Sequence, residues 1–227
     1  PDFPSDNTSL ATAWEIHDPA KSWAIYTELG AGQVDYYSLD LGQGDRIFLN
    51  LIVPVMERDQ DFLPVMALLG PGIVDQGLLP GDVEVPDGYG HIVIESNMAD
   101  EPTYEAFSPG SFYNVSWYDG VAPQAGAYYV AVYEAEISAG DGGNYGFPVG
   151  YTESFTLEEM VTIPFSLVGV YIWQGESYWM IFAPLVVMML VGAIVLVARR
   201  DDVLERMAAF HLAVYIAGVF VLGSALI

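Results

Sequence analysis

Two uncharged runs of 21 residues, 178–198 and 207–227, set the strongest limit on what this chain can become. An α-helix rises 1.5 Å per residue, so about 20 apolar residues match a bilayer hydrocarbon core of roughly 30 Å. Only RRDDVLER (199–206) separates the runs, a connection too short to do more than turn the chain back, which predicts an antiparallel transmembrane hairpin. The competing account, a buried helical pair in a soluble protein, would need both runs in a chain otherwise thick with carboxylates. A signal peptide does not account for them, since they are C-terminal.

Arg199, Arg200 and Arg206 all fall in the connecting loop. Short loops rich in Arg stay on the cytoplasmic side, so the loop is expected inside and residues 1–177 outside, in an integral protein of the cell membrane. Export of such a domain implies a signal peptide removed beforehand. Pro184 is expected to bend the first span slightly. Gly192, Ala213, Ala217, Gly218, Gly223 and Ser224 are small enough to let helices approach, within the hairpin or toward another membrane protein. His211, one turn inside the second run, is read as reaching headgroups or water rather than serving a haem or a proton relay.

Charge divides the chain at the same place. Residues 1–177 hold 27 acidic and 3 basic side chains, the remainder 3 of each, so the whole net charge of −24 belongs to the first part. Such a surface excludes a nucleic-acid partner, whose phosphates need clustered Lys and Arg. The absence of cysteine rules out a disulfide scaffold, a thiol nucleophile and any Cys-ligated metal. A nucleophile elbow, HExxH, a Walker loop and GxGxxG are all missing from the sequence, which reads as non-catalytic.

Between 10 and 151, short runs rich in aromatic and β-branched residues are punctuated by Gly, Pro and Asp. Strands are predicted at 11–17, 22–29, 35–41, 46–55, 63–69, 91–96, 112–118, 127–137 and 145–151. Turn signals such as Gly42-Gln43-Gly44-Asp45 and Gly70-Pro71-Gly72 fall between them. The fold class is therefore mainly β: an extracytoplasmic β-sandwich of jelly-roll type, followed by a transmembrane α-helical hairpin.

Within that part, Val34-Asp35-Tyr36-Tyr37-Ser38-Leu39-Asp40-Leu41, then Gly44-Asp45-Arg46-Ile47, and much later Ala125-Gly126-Ala127-Tyr128-Tyr129-Val130-Ala131-Val132 form a pattern. It resembles the β-sandwich domains of the PPC (pre-peptidase C-terminal) type and of the GOLD type, over roughly residues 10–150. The resemblance implies a non-catalytic extracellular or lumenal module for protein or surface interaction, in some members with calcium or carbohydrate binding. It carries no catalytic residues. An anchor after the sandwich is GOLD-like, although two spans depart from a single-span anchor.

Thr156-Leu157-Glu158-Glu159 fits a capping box, so a helix is expected to begin there, with Pro164 limiting it. The apolar run 165–173 is too short to span and ends in aromatics, which favour headgroup level. It is read as an elbow on the outer membrane surface, or alternatively as completing the sandwich core. Three parts result: a β-sandwich at 1–151, a membrane-proximal helical elbow at 152–177, and two spans at 178–227.

The candidate sites are polar loops. Asp59 and Asp61 in one loop, and Asp141 and Asn144 in an oxygen-rich turn, are suited to calcium, the one candidate cofactor, although neither loop has EF-hand spacing and, since calcium needs six or more converging oxygens, a solvated loop is the preferred reading of each. Asn7 and Asn114 head N-glycosylation sequons, Asn7 being favoured because Asn114 falls in a predicted strand. The segment from Tyr104 to Tyr113 sets aromatics beside polar groups, as a carbohydrate or partner face would. The function expected is that of a membrane-anchored accessory or scaffolding subunit, with the bilayer and an integral membrane protein or further copies as partners. The alternative is a ligand-binding or sensory ectodomain, for calcium or glycan.

Overall fold

In β3 (Val34–Leu41) every second side chain, Tyr37, Leu39 and Leu41, turns into the core, while Val34 and Tyr36 pack on the opposite face. That two-residue period is what a strand requires, and it recurs through the chain. The computed structural model describes residues 2–55, 62–97, 101–105, 110–135, 141–199, 215, 216, 218 and 219. They fall into two units, Pro1–Gln174 and Gly175–Ile227.

The first unit is mainly β. After a 3-10 turn at Leu10–Thr12 come β1 (Trp14–Ile16), β2 (Trp23–Leu29), β3, β4 (Arg46–Pro54), β5 (Pro64–Gly70), β6 (Gly90–Ile94), β7 (Thr103–Glu105), β8 (Gly110–Val121), β9 (Gly126–Glu134) and β10 (Gly143–Val149). One sheet has the order β1-β3-β9-β5-β6, the other β2-β10-β4-β8-β7. All their pairings are antiparallel except β1 with β3. Between the sheets lies one apolar layer to which both contribute, including Leu39, Leu49, Leu68, Val130 and Phe147. This is a β-sandwich arrangement.

The nine predicted strands are all present with shifted ends, except that the first is shortened to three residues by the preceding 3-10 turn. β7 is additional. Its three residues are all exposed, and pairing with β8 alone holds it in extended form.

Both outer faces are covered in part. On the first sheet, Val34, Tyr36, Ala67 and Tyr133 are buried beneath Val83 and Leu79 of the β5–β6 connection and Leu10 of the 3-10 turn. On the second, Tyr26, Ile52 and Phe112 pack against Leu167, Val170 and Trp173 of α1 (Leu157–Trp173).

α1 starts where the sequence places it: the Thr156 hydroxyl accepts from the Glu159 amide, and the Glu159 carboxylate accepts from the Thr156 amide. Pro164 does not limit it, contrary to expectation; the helix continues to Trp173. A proline costs one backbone bond and a steric clash. Burial of Val170 and the packing of Trp173 on the sheet offset that cost. The run 165–173 thus covers the sandwich, the second of its two sequence readings, and belongs to the same unit as the strands.

In the second unit, α2 (Tyr178–Ala198) is capped by the Ser177 hydroxyl, runs through Pro184, and is long and apolar enough to cross a membrane. Only 11% of its most apolar window is buried. Of the second predicted span, residues 215, 216, 218 and 219 are described, and they are helical. The Tyr215 hydroxyl donates to the Met188 carbonyl, and a Cβ at Gly192 would collide with the Tyr215 ring, the close approach that a small residue allows. The rest of the predicted hairpin, including the loop from Arg200 onward and His211, lies outside the described residues.

Candidate functional site

Consecutive side chains of β4 and β8 alternate between the core and the outer face of the second sheet, so face is fixed by register. The cross-strand pairs Arg46 with Val121, Phe48 with Asp119, Asn50 with Trp117 and Ile52 with Asn114 all lie on the outer face. In a regular strand residues 114 and 117, three apart, would face opposite ways. A bulge in the register at Leu51/Ile52 inserts one residue on β8, and it is this bulge that brings Asn114 onto the face occupied by Trp117.

The polar members of this face are linked. Asn50 Nδ2 donates to Asn114 Oδ1 at 3.0 Å, and Asn114 Nδ2 to Thr103 Oγ1 of β7 at 3.4 Å. Asn50 Oδ1 is buried and has no donor among the described residues. Trp117 is 66% exposed. Beside the ladder, between the sheet and α1, lies a groove of about 290 Å³ lined by Trp23, Asn50, Thr103, Asn114, Glu153 and Phe155, among others.

The lysine and arginine described in the first unit are both committed elsewhere. Lys21 pairs with Glu159 and lies over the Trp23 ring; the bond holds the Glu159 carboxyl well below the usual carboxylate range. Arg46 grips Asp119 through two bonds of 2.8 and 2.7 Å and stacks on Phe48 and Tyr151. The outer surface is therefore a screened polyanion. Its self-repulsion falls as the Debye length shrinks from about 10 Å at 0.1 M salt to about 3 Å at 1 M. The melting temperature, followed by circular dichroism, is expected to rise over that interval of sodium chloride; a flat curve would mean that repulsion contributes nothing.

A second polar cluster lies inside the sandwich. Asp35, on the inward side of β3, accepts a 2.7 Å bond from the Tyr145 hydroxyl of β10, which is itself 2.6 Å from the Tyr37 hydroxyl. All three are buried, and burial raises all three pKa values, that of Asp35 to about 6. Nearby, a cleft of about 380 Å³ is lined by Asp6, Asn7, Glu28, Gln33 and Asp35 among others, with no cationic side chain.

The residues singled out from sequence fare differently. Asp59 and Asp61 lie outside the described residues. Asp141 is exposed, whereas Asn144 is buried and donates from Nδ2 to the Trp173 carbonyl at 2.6 Å. The oxygen-rich turn is built for chain reversal: Gly142 has φ 76°, and a Cβ there would strike the Leu29 carbonyl. No cluster of three or more His, Asp or Glu able to hold a metal occurs among the described residues.

Asn7 is buried, with Nδ2 donating to the Tyr36 carbonyl at 3.3 Å, which leaves no room for a glycan in this fold. That reverses the sequence preference, since Asn114 is the exposed sequon residue. Tyr104 is also exposed, while Phe112 is buried under α1, so these two aromatics of the segment 104–113 do not share a face; residues 106–109 of it lie outside the described residues. Trp117, Asn50 and Asp35 were not picked out from sequence. Asp35 alone carried a signal, an acid on the same strand face as Tyr37 and Leu39.

The first unit is thus a β-sandwich module. No family model matches the chain, and no curated protein matches it. Among solved structures it is similar to a periplasmic inhibitor of g-type lysozyme from Aeromonas hydrophila, at 15% identity over 61% of this chain and 94% of that one, with a TM-score of 0.34. It is similar also to the pre-peptidase C-terminal domain of a collagenase from Bacillus anthracis, at 14% identity over 60% and 91%, TM-score 0.31. A third is a secreted protein of Methylococcus capsulatus in which an oxidized tryptophan facilitates copper binding, at 10% identity over 61% and 87%, TM-score 0.28. The second is a domain of the kind that the sequence motifs resemble. At these scores the likeness says nothing of role.

Proposed function

We infer that the chain is a non-catalytic, membrane-anchored extracytoplasmic accessory subunit, assembled on an integral membrane protein or on copies of itself. The observation that carries this reading is α2: 21 residues, apolar on every side, with most of its surface unburied by the rest of the chain. A helix hydrophobic all round belongs in lipid or against other spans. Gly192 and Pro184 in α2 fit a packed span, because small residues admit a neighbour and neighbouring helices absorb a proline.

Orientation follows from the arginines at 199, 200 and 206, which hold that end of α2 in the cytoplasm and leave the anionic sandwich outside. The sandwich offers folded surface, and its charge keeps it soluble and off other acidic surfaces.

The test is extraction followed by native mass measurement. The chain should stay in the pellet at high pH, enter mild detergent, and then run as an oligomer or with a second membrane protein in fixed proportion. Release without detergent would remove the anchor, and a lone monomer from its native membrane would remove the assembly role.

A further inference from the structure

We propose that the side of α1 turned away from the sheet lies on a lipid surface, which makes α1 an interfacial helix as well as a cover for the sandwich. The inference rests on the reading of α2 as a membrane span, and it adds a second contact with the bilayer, made by the first unit.

The second sheet takes only one side of the helix. Leu167, Val170 and Trp173 pack on Tyr26, Ile52 and Phe112. Positions 157, 164, 165, 168 and 172 fall on the other side at helical spacing, and they hold Leu, Pro, Phe, Val and Ile, with no charge among them. Leu157 is 83% exposed, Met160 63% and Phe165 67%. In a part of the chain with 27 acidic residues, an uncharged stripe left open along a whole helix is a contact surface, because exposed apolar patches of this kind mark a protein or membrane partner.

The occupant follows from where the chain goes next. α2 begins five residues after Trp173, a reach of at most about 18 Å even when fully extended. Once α2 is in a bilayer, the last turn of α1 is held within that distance of the first residue of the span. The stripe runs the length of α1, so a helix held there by one end covers it by lying flat, with its Leu and Phe side chains in the headgroup and upper acyl region. α1 has no lysine or arginine to draw it to anionic lipid. Covalent linkage to the span supplies the local concentration instead, and the surface it suits is zwitterionic. A second copy is a poorer occupant, because each would bring its own first part, with a net charge of −24, against the other.

The chain has no cysteine, so a single one introduced into it takes a label uniquely. The experiment uses the full chain in phosphatidylcholine vesicles at a low ratio of protein to lipid. Leu157→Cys and Phe165→Cys on α1, Leu78→Cys in the β5–β6 connection over the first sheet and Val187→Cys in α2 each carry a nitroxide, and its collisions with oxygen and with a water-soluble nickel chelate report its depth. All four side chains are exposed, so the melting temperature of each variant should match the parent. The labels at 157 and 165 should lie roughly 5–10 Å into the boundary between headgroups and acyl chains. The label at 78 should read as water, and that at 187 as the acyl core. Phe165→Glu should move the label at 157 toward water and leave the one at 187 in place. The proposal is overturned, with the span intact, if the labels at 157 and 165 read as water while that at 187 stays in the core. It is overturned too if both are shielded from oxygen and nickel alike, as a protein covering the stripe would shield them. A label at 187 that reads as water would remove the span itself, and this inference with it.

Discussion

Replacing Asp35 by Asn should make the first unit more stable at pH 8 and leave it unchanged at pH 4. Asp35 is buried in the sandwich, and its principal hydrogen-bond donor is the Tyr145 hydroxyl. Burial outweighs that bond and raises its pKa from 3.8 to about 6. The folded chain therefore holds this proton more tightly than the unfolded chain does. Between about 3.8 and 6 the native state binds more protons, so this group's contribution to stability is greatest in acid and declines as pH rises through that window. A shift near two units corresponds to about 3 kcal/mol lost by pH 7.

Asn keeps an acceptor for Tyr145 and cannot ionise. The variant should gain up to about 3 kcal/mol above pH 6, or roughly 5–10 °C in melting temperature for a unit of this size. Parent and variant curves should converge below pH 4. Thermal unfolding of both proteins by near-ultraviolet circular dichroism at pH 4, 6 and 8 checks this. A variant less stable than the parent at pH 8 would show that the carboxylate is held by something stronger than the Tyr145 bond.

Much of the sandwich is legible in the sequence because strands announce themselves locally. Alternation in 34–41 and 126–134 sets which side chains enter the core, and Gly and Pro mark where each run stops. The same alternation puts Asp35 on the inward face. What makes it a site is Tyr145, 110 positions away, and no local pattern reports that contact.

β7 lacks any pattern of its own, since an exposed Thr-Tyr-Glu is extended only because β8 pairs with it. Asn144 and Asn7 look like exposed polar residues in sequence and are buried in the fold, one beneath the end of α1 and the other against β3. The bulge that aligns Asn114 with Trp117 is equally silent. One inserted residue changes the face of all that follows it, and the strand on either side reads the same. The second apolar run is plain in composition, but composition specifies length and not partners.

Trp173→Ala should destabilise the first unit strongly where α1 packs on the second sheet. The indole sits edge-on to Tyr26 with ring centroids 4.9 Å apart and 6.2 Å from Phe112, and its Nε1 donates to the Thr27 carbonyl at 2.7 Å. Truncating a packed Trp costs about 3–5 kcal/mol through lost contacts and the cavity left behind. Since Trp173 is half-buried, the lower end, about 3 kcal/mol, is expected. The loss should be localised: hydrogen exchange should quicken through the second half of α1, while the first half stays tied by Lys21 to Glu159.

Asn144→Ala separates this structural account from a calcium site. The Asn144 side chain bonds the carbonyl of the last helical residue, so its removal should cost about 1 kcal/mol and loosen the same turn of α1. The parent should then melt at one temperature with or without millimolar calcium, and the variant at a lower one, equally indifferent to calcium. A calcium-dependent rise in the parent that vanishes in Asn144→Ala would instead place a cation at this residue, because a ligand stabilises the state that binds it. Gln174 to Ser177 is all that lies between α1 and α2, so a loosened last turn lengthens the free connection between the two helices.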